Sequence, residues 1–485
     1  MRRSILFLFT IVISLNFCAE AQIFRSLGLS GISYSLSDPE VRLTPFGLAR
    51  NPATIVSDEQ STYLKIIPSY TSEQGEYRRL YDPEVVSLSS VNFRGLKTLG
   101  EKGTFLGEMG YVYEYRDQVY RSIMKDPYSG ESFFMTDTTK GNISYNGPQM
   151  TGMYSWYLTD GLSAGFSVSY GILSGLKSVY TYAKTIYRNA ALSGGLAYDL
   201  TDNTMVAVKL AYGDSQESVE ASDVNLLDVE VWDFVGETYT LRNRSQSITQ
   251  KVKRIQYETS LQVYSTPVQG LEIGANAGYS PKSATFITPY MSFDELTLGY
   301  SQSADIFGEV YGRYMISENS TAGAKVSYNH INNWSKNNRN NLLVWEWNYS
   351  GLIAGAGTSY KLTEVPLLMA VEFETAFRNI DSSKYIDRKS ITDNGADITL
   401  RTGLEYEINS DLTVRGGYRF SQKGIDIQYG LKDVTQNQFS FGCDYYFRGG
   451  SILQFCGKYS NLTPSSSGVS RSVWEGFCQI KLNTF

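Results

Sequence analysis

Hydrophobic and polar side chains alternate strictly between Leu400 and Phe420, a stretch that reads LRTGLEYEINSDLTVRGGYRF. The alternation stops at residues 409–411 and then resumes with the same period of two. Successive side chains of a β-strand point to opposite faces, so each half of the stretch has one apolar face and one polar face. The pattern predicts two antiparallel strands joined by a tight turn.

The same hairpin pattern recurs along the chain after residue 60. It predicts eight short turns, at residues 99–103, 159–161, 201–203, 269–270, 318–320, 364–365, 409–411 and 449–450. Longer polar segments separate the hairpins, at residues 126–140, 214–250, 280–304, 330–341, 380–397 and 461–471. Aromatic residues bracket apolar stretches of about 9–11 residues, which is the length of a tilted transmembrane strand.

We therefore predict an all-β fold, a transmembrane antiparallel up-and-down β-barrel with short periplasmic turns and long extracellular loops. The short turns imply about 18 strands, and weak patterns before residue 145 leave about 14 to 16 open. The apolar faces would contact lipid, and the polar faces would line the interior. The sheet must close, because an open edge would leave unpaired backbone amides in lipid.

The amino-terminal residues follow a different pattern. Residues 1–21 are predicted to be a signal peptide, with Arg2 and Arg3 before an apolar core and a small-x-small cleavage site at residues 19–21. Residues 22–60 contain three prolines at irregular spacing, and we expect them to form a hatch or a periplasmic lead-in. Residues 61–485 would form the barrel. Export and a barrel together predict the outer membrane of a Gram-negative bacterium.

Composition argues against several classes of function. The formal net charge of −6 argues against nucleic acid as a partner. The mature chain would keep three cysteines, Cys443, Cys456 and Cys478, and the single histidine is His330. No metal-ligand spacing connects these residues, and no GxSxG, HExxH or P-loop motif is present. We expect neither an enzyme nor a cofactor.

The residues just before the first predicted strand include Asn51, Pro52 and Ala53. An Asn-Pro-Ala in this place resembles the FadL/TodX-type (OmpP1-like) outer-membrane transporters of long-chain fatty acids and aromatic hydrocarbons. It also resembles related uncharacterised β-barrel proteins of Bacteroidota. The resemblance implies that the three residues belong to an amino-terminal hatch that plugs the barrel. Alternatively, Pro52 simply ends a local turn before the strand.

One group of candidate site residues has the parity of the barrel interior within the hairpin described above. It consists of Arg401, Glu405, Glu407, Arg415 and Arg419. One hypothesis is that these charges form a constriction that selects permeants. The alternative, which we favour, is that opposite charges neutralise one another across neighbouring strands of a polar lumen.

A second candidate group is an acidic loop between two strands. Its residues include Asp223, Asp228, Glu230 and Asp233. Such carboxylates could bind divalent cations. The spacing is not that of an EF-hand, so a solvated acidic loop is the better explanation.

These features predict a porin-like channel that gives passive passage to a small solute, and the resemblance implies a hydrophobic one. The alternative is a non-enzymatic scaffold or secretion-associated barrel that binds partner proteins through its extracellular loops. We expect as partners the outer-membrane lipid, a small hydrophobic ligand and the barrel-assembly machinery, whose recognition signal the terminal Phe485 resembles. The sequence identifies no protein partner.

Overall fold

The computed structural model describes residues 51–57, 62–79, 81–100, 103–120, 122–127, 129, 131–137, 139–179, 181–222, 228–235, 238–245, 247–289, 295–426, 431–465 and 468–482. Within these ranges the chain forms 21 β-strands and a short 3₁₀ helix. The predicted signal peptide and most of the predicted hatch lie outside them. A helix long and apolar enough to cross a membrane is not found in the described part of the chain.

The strands follow one another with few other elements between them. Their bounds are β1 Tyr63–Gly75, β2 Val85–Leu99, β3 Gly103–Val119, β4 Phe133–Thr136, β5 Gly141–Thr159, β6 Leu162–Lys177, β7 Lys184–Thr201, β8 Thr204–Ser222, β9 Asp228–Val235, β10 Thr238–Ser245, β11 Ser247–Val268, β12 Leu271–Pro289, β13 Glu295–Ser317, β14 Ser320–Asn337, β15 Leu343–Lys361, β16 Leu367–Lys384, β17 Lys389–Asn409, β18 Leu412–Asp426, β19 Leu431–Tyr446, β20 Ile452–Pro464 and β21 Arg471–Leu482. The 3₁₀ helix spans Pro52–Ser57.

Eighteen of the strands form a single closed sheet, and β4, β9 and β10 form a small separate sheet. Each strand of the large sheet pairs with its neighbours in chain order, and β21 returns to pair with β1, where Leu64 lies opposite Leu482. The predicted antiparallel barrel of 18 strands is therefore confirmed. In a bilayer, closure gives the backbone amides of every wall strand a partner on both sides.

The eight predicted short turns all lie at one end of the barrel, which we call the short-turn end. They join β2–β3, β5–β6, β7–β8, β11–β12, β13–β14, β15–β16, β17–β18 and β19–β20. Gly161 and Gly270 have φ angles of 77° and 82°, which a tight hairpin turn needs and which glycine adopts without strain. We call the opposite end, where the longer connections lie, the loop end.

The alternation of side chains along β13 shows how the wall separates its two faces. Ile306, Val310 and Tyr314 are about half exposed, at 51%, 53% and 46%, on the exterior. Glu309 and Arg313 have the opposite parity and face the interior. An apolar exterior and a polar interior are the reverse of a soluble barrel and suit a lipid environment.

The wall strands are longer than the predicted length of about 9–11 residues, ranging from 12 residues in β21 to 23 in β13. Several predicted polar connections are therefore mostly strand. Between residues 280 and 304, β12 continues to Pro289 and β13 resumes at Glu295. The ladder of hydrogen bonds continues beyond the bilayer, where polar side chains on both faces are solvated. Polarity thus marks the end of the membrane span but not the end of the strand.

The two longest connections contain the small sheet. β4 lies between β3 and β5, while β9 and β10 lie between β8 and β11. β9 pairs with both β10 and β4. The part of the acidic loop that the structure describes is therefore a β-hairpin.

Depth in the bilayer should determine what an exterior charge costs. We expect Val310→Arg to lower the free energy of unfolding by about 2–4 kcal/mol, because the guanidinium would lie near the bilayer midplane. Gln302→Arg, on the same exterior face of β13 but nearer the loop end, should cost about 0–1 kcal/mol. Urea unfolding in phosphatidylcholine vesicles measures both. Equal costs at the two positions would contradict the assigned membrane span.

Candidate functional site

A short segment, residues 51–57, lies inside the barrel against its wall; we call it the inner plug. Asn51 is fully buried. Its Nδ2 donates a hydrogen bond to the carbonyl oxygen of Val208 on β8 at 3.1 Å, and its Oδ1 accepts one from the backbone N–H of Ala53 at 3.0 Å. The second bond caps the amino terminus of the 3₁₀ helix, so one side chain both starts the helix and attaches it to the wall.

Two serines of the wall bind the inner plug at Ala53. The hydroxyls of Ser155 on β5 and Ser163 on β6 both donate to the carbonyl oxygen of Ala53, each at 2.9 Å. Both serines are buried. A buried carbonyl without a partner would be costly, and here both of its lone pairs are used.

Glycines make room for the inner plug at two positions in the wall. A Cβ atom on Gly195 would lie 1.9 Å from Oδ1 of Asn51, and a Cβ atom on Gly165 would lie 2.3 Å from the backbone carbon of Pro52. A side chain at either position would therefore displace the inner plug. Because Gly165 on β6 and Gly195 on β7 have no side chain, the inner plug can lie directly against the backbone of the wall.

Apolar packing fixes the two ends of the inner plug. Ile55 is fully buried and packs with Tyr63, Leu96 and Leu106. Burial of an isoleucine side chain stabilises a fold by about 1.5–3 kcal/mol. Ala53 packs with Ala197 and Ala207. The contacts of the inner plug therefore extend along the wall from β1 to β8.

The structure brings the three residues of the predicted hatch motif together inside the lumen. That they form the motif of a hatch that plugs the barrel stays a prediction.

A second segment enters the barrel at the loop end; we call its described residues 122–127, 129 and 131–137 the outer plug. Ile123, Met124, Phe133 and Met135 are at most 2% exposed. They pack in one cluster with interior side chains of the wall, among them Val219, Ile248, Val252, Ala284, Phe286 and Val344. The rings of Phe133 and Phe286 have centroids 5.1 Å apart. This cluster fills part of the lumen with a buried apolar core.

Glu131 is the central ionic anchor of the outer plug. Its carboxylate accepts two hydrogen bonds from Arg254 on β11, with Nη2–Oε2 and Nε–Oε1 distances of 2.7 and 2.8 Å. Nζ of Lys282 on β12 lies 3.5 Å from the same carboxylate. Burial alone would raise the pKa of Glu131, but the charges of Arg254 and Lys282 outweigh burial and lower the pKa from 4.5 to about 2.

Charged contacts also hold both ends of the outer plug. Near its start, the backbone N–H of Lys125 donates to the carboxylate of Glu217, and Nζ of Lys125 lies 2.8 Å from Glu114. At its end, Nζ of Lys177 donates to both carboxylate oxygens of Asp137, at 2.6 and 2.7 Å. Glu114 and Asp137 therefore each have an opposite charge beside them.

The outer plug differs from the long polar connection that the sequence predicts for residues 126–140. The described part of this stretch does connect two wall strands, but it folds inward. Apolar residues such as Phe133 and Met135 within this polar stretch are the signal that could have indicated burial. The period-two pattern did not indicate that Arg254 would lie opposite Glu131.

Interior charges on β17–β19 form a chain of ion pairs. On β18, Nε of Arg415 lies 2.5 Å from Glu405 on β17, and Nη1 lies 2.6 Å from Asp444 on β19. Gln454 on β20 donates to Asp444 at 2.9 Å. Arg415 is only 9% exposed, so the lumen wall holds a paired guanidinium rather than a solvated one.

The chain continues onto β14 and β16. Arg401 on β17 lies 3.1 Å from Glu374 on β16, and Lys325 on β14 lies 2.5 Å from the same carboxylate. We call the whole set the charge ladder, and it comprises Lys325, Glu374, Arg401, Glu405, Arg415 and Asp444.

The five predicted lumen charges therefore do not all have the same surroundings. Arg401, Glu405 and Arg415 belong to the ladder. Glu407 pairs with Lys361 at 3.1 Å near the short-turn end, where both side chains are nearly half exposed. Arg419 donates to Ser421 at 2.9 Å. The sequence pattern did not identify their partners Glu374 and Asp444, because it gives no pairing register between this hairpin and the neighbouring strands β16 and β19.

Of the four predicted acidic-loop residues, the structure describes the side chains of Glu230 and Asp233. Asp223 lies outside the described residues, and Asp228 is the first residue of β9. Glu230 is exposed and Asp233 is half-buried. Among the described residues, no group of three or more His, Cys, Asp or Glu side chains could hold a metal ion.

Filling the glycine space should release the inner plug. We expect Gly195→Leu to speed amide hydrogen exchange in residues 51–57 at least tenfold, because the new side chain would occupy the place of the Asn51 amide. Gly194→Leu is the matched control, since a Cβ there would have its nearest neighbour 4.0 Å away. Mass spectrometry of the peptide measures exchange. Equal exchange in the two variants would contradict the proposed contact.

Acid should loosen the outer plug through Glu131. Its pKa is lower in the folded protein than in an unfolded chain, so its contribution to stability is complete above about pH 4.5 and is lost as pH falls towards 2. We expect pepsin cleavage at residues 133–134 to accelerate over this range, relative to an unfolded peptide of the same sequence. Glu131→Gln should be cut readily at pH 4.5 and show a weaker dependence. A flat wild-type profile would contradict this assignment.

Solved structures with a similar chain path include the Pseudomonas putida toluene transporter TodX (TM-score 0.35, 11% identity, 95% of this chain and 97% of that chain). A Pseudomonas aeruginosa FadL homologue (0.38, 11%, 91% and 94%) and the siderophore receptor PiuA from Acinetobacter baumannii (0.43, 9%, 87% and 82%) also match. No curated protein matches the chain.

A family model matches most of the barrel. The match begins at Pro52, within the inner plug, and ends at residue 363, in the turn between β15 and β16. It includes the inner plug helix, the outer plug and the strands that hold them. Since residues 52–363 are more than half of the chain, the protein belongs to the family described as "Family of unknown function (DUF6850)".

Proposed function

We propose that the protein is an outer-membrane channel that gives a small polar solute passive passage along the charge ladder. The apolar exterior and the closed sheet support its place in the outer membrane. The observation on which the proposal rests is the position of the ladder. The strands β16–β19 lie nine strands from β5–β8 around the barrel, so paired charges face the inner plug across the lumen.

The lining supports a polar solute better than the hydrophobic one that the resemblance implies. A polar solute can exchange hydrogen bonds with water for hydrogen bonds with ladder residues such as Arg401 and Glu374. An apolar solute gains little from a wall of paired charges. The large apolar side chains Ile55 and Phe133 are at most 1% exposed, because they are buried in the contacts of the two plugs.

The two plugs narrow the lumen from different sides. The inner plug contacts β1–β8, and the outer plug packs on interior residues of β8, β11, β12 and β15. The inner plug is held against the wall by hydrogen bonds and apolar packing, and the outer plug by ion pairs as well. In this proposal the solute passes along the ladder, and a wider opening requires a plug to leave its place.

Removing two ladder cations should change ion preference. We expect wild-type protein to support swelling of proteoliposomes in arabinose. The double variant Arg401→Ala with Arg415→Ala should increase the cation-to-anion permeability ratio several-fold, because Glu374, Glu405 and Asp444 would then lose partners. Reversal potentials across a planar bilayer with a salt gradient measure this ratio.

The matched control is Arg339→Ala, which removes an arginine that is exposed at the loop end. Its reversal potential should equal that of the wild type. Failure of the wild type to conduct ions or to admit arabinose would overturn the channel proposal. Unchanged ion preference in the double variant would remove the ladder from the permeation path.

A further inference from the structure

Basic side chains are concentrated at one place on the exterior of the loop end. Lys184 and Arg188 on β7 and Lys253 on β11 are exposed, and Lys251 on β11 is half-buried. All four have the parity of the lipid-facing apolar residues in their own strands. They therefore belong to the outer surface of the barrel and not to the lumen. We call them the basic patch.

The pairing register brings the basic patch together across three neighbouring strands. Arg188 and Lys253 both lie opposite Gln216 of β8, one from each side. Their backbones are thus two strands apart, about 10 Å. Lys251 lies opposite Ser218, one pleat nearer the loop end. Side chains as long as Arg and Lys can converge on one small group over this distance.

An aromatic pair sets the depth of the basic patch in the membrane. Tyr212 and Tyr257 lie opposite each other on β8 and β11, with ring centroids 5.4 Å apart. They are 36% and 55% exposed on the exterior. Tyrosines on the lipid face favour the level of the headgroups. The patch starts four residues beyond this pair, so it lies where phosphate groups of the outer leaflet would be.

Two acidic residues of β8 lie within the patch. Asp214 lies 2.8 Å from Arg188, and the exposed Glu220 lies opposite Lys184 in the register of β7 and β8. The side chains of Arg188 and Asp214 are 46% and 35% exposed, and a guanidinium has five N–H donors, so the pair leaves donors for another ligand. Other described exterior positions at this level are mainly Ser, Thr, Asn and Gln, with isolated charges such as Lys336.

We propose that the basic patch binds the phosphate-bearing headgroup of an outer-leaflet lipid. The charge of the patch complements an anionic headgroup, and its place above the tyrosine pair leaves the acyl chains against the apolar wall below. Clusters of Lys and Arg beside a membrane span are the usual surface for such headgroups. The inference rests on the proposed position in the outer membrane but not on the passage of a solute.

Native mass spectrometry of the detergent-solubilised protein tests the proposal, with lipid A as the probe and phosphatidylcholine as the zwitterionic reference. The test variant combines Lys184→Gln, Arg188→Gln, Lys251→Gln and Lys253→Gln. The matched control removes four other loop-end cations, with Lys336→Gln, Lys384→Gln, Arg388→Gln and Lys389→Gln. We expect the test variant to bind lipid A at least about tenfold more weakly than the wild type, and the control variant to bind it within twofold.

Three results would overturn the proposal. They are unchanged binding of lipid A in the test variant, an equal loss in the control variant, and displacement of lipid A by an equimolar amount of inorganic phosphate. The last would indicate a site for free anions. Heat-modified migration on gels verifies that each variant is a folded barrel. Because no step measures conductance, lipid binding can fail while the channel proposal holds, and the reverse.

Discussion

Closure of the sheet is the constraint on which the rest of the structure depends. Inside a bilayer a backbone amide has no water to bind, so a strand at an open edge would be costly. The pairing of β1 with β21 removes that edge. It also divides the side chains of all eighteen strands into two sets, one in lipid and one inside. Exterior residues contact the membrane. Interior residues bind the two plugs and form the charge ladder.

The interior is polar, and its most buried charges lie beside opposite charges. Arg415 lies between Glu405 and Asp444, and Arg254 binds Glu131. Removing one member of such a pair leaves a buried charge without a partner, which costs more than the pair contributes when intact. Opposite charges in the lumen are therefore expected to stay paired.

The repetition of one local rule made the wall predictable from the sequence. The period of two between Leu400 and Phe420 identifies both the strands and their faces, and the turn residues give the register of each hairpin. The plugs obey no such rule. Asn51 binds Val208 over a separation of 157 residues, and Glu131 binds Arg254 over 123. In a single sequence Gly165 and Gly195 look like glycines that merely weaken a strand. Their role in admitting the inner plug is visible only when the plug is placed beside them.

The inner plug also has a mechanical consequence. Its contacts begin beside Tyr63 near the seam of the barrel and end at Val208 on β8. The inner plug thus connects the two ends of an arc of seven wall strands. Flattening that arc would have to break the bonds of Asn51 or pull Ile55 from its neighbours. The inner plug therefore stiffens the barrel. Without it, the cross-section along this arc of seven strands would be more deformable than that along the other eleven strands.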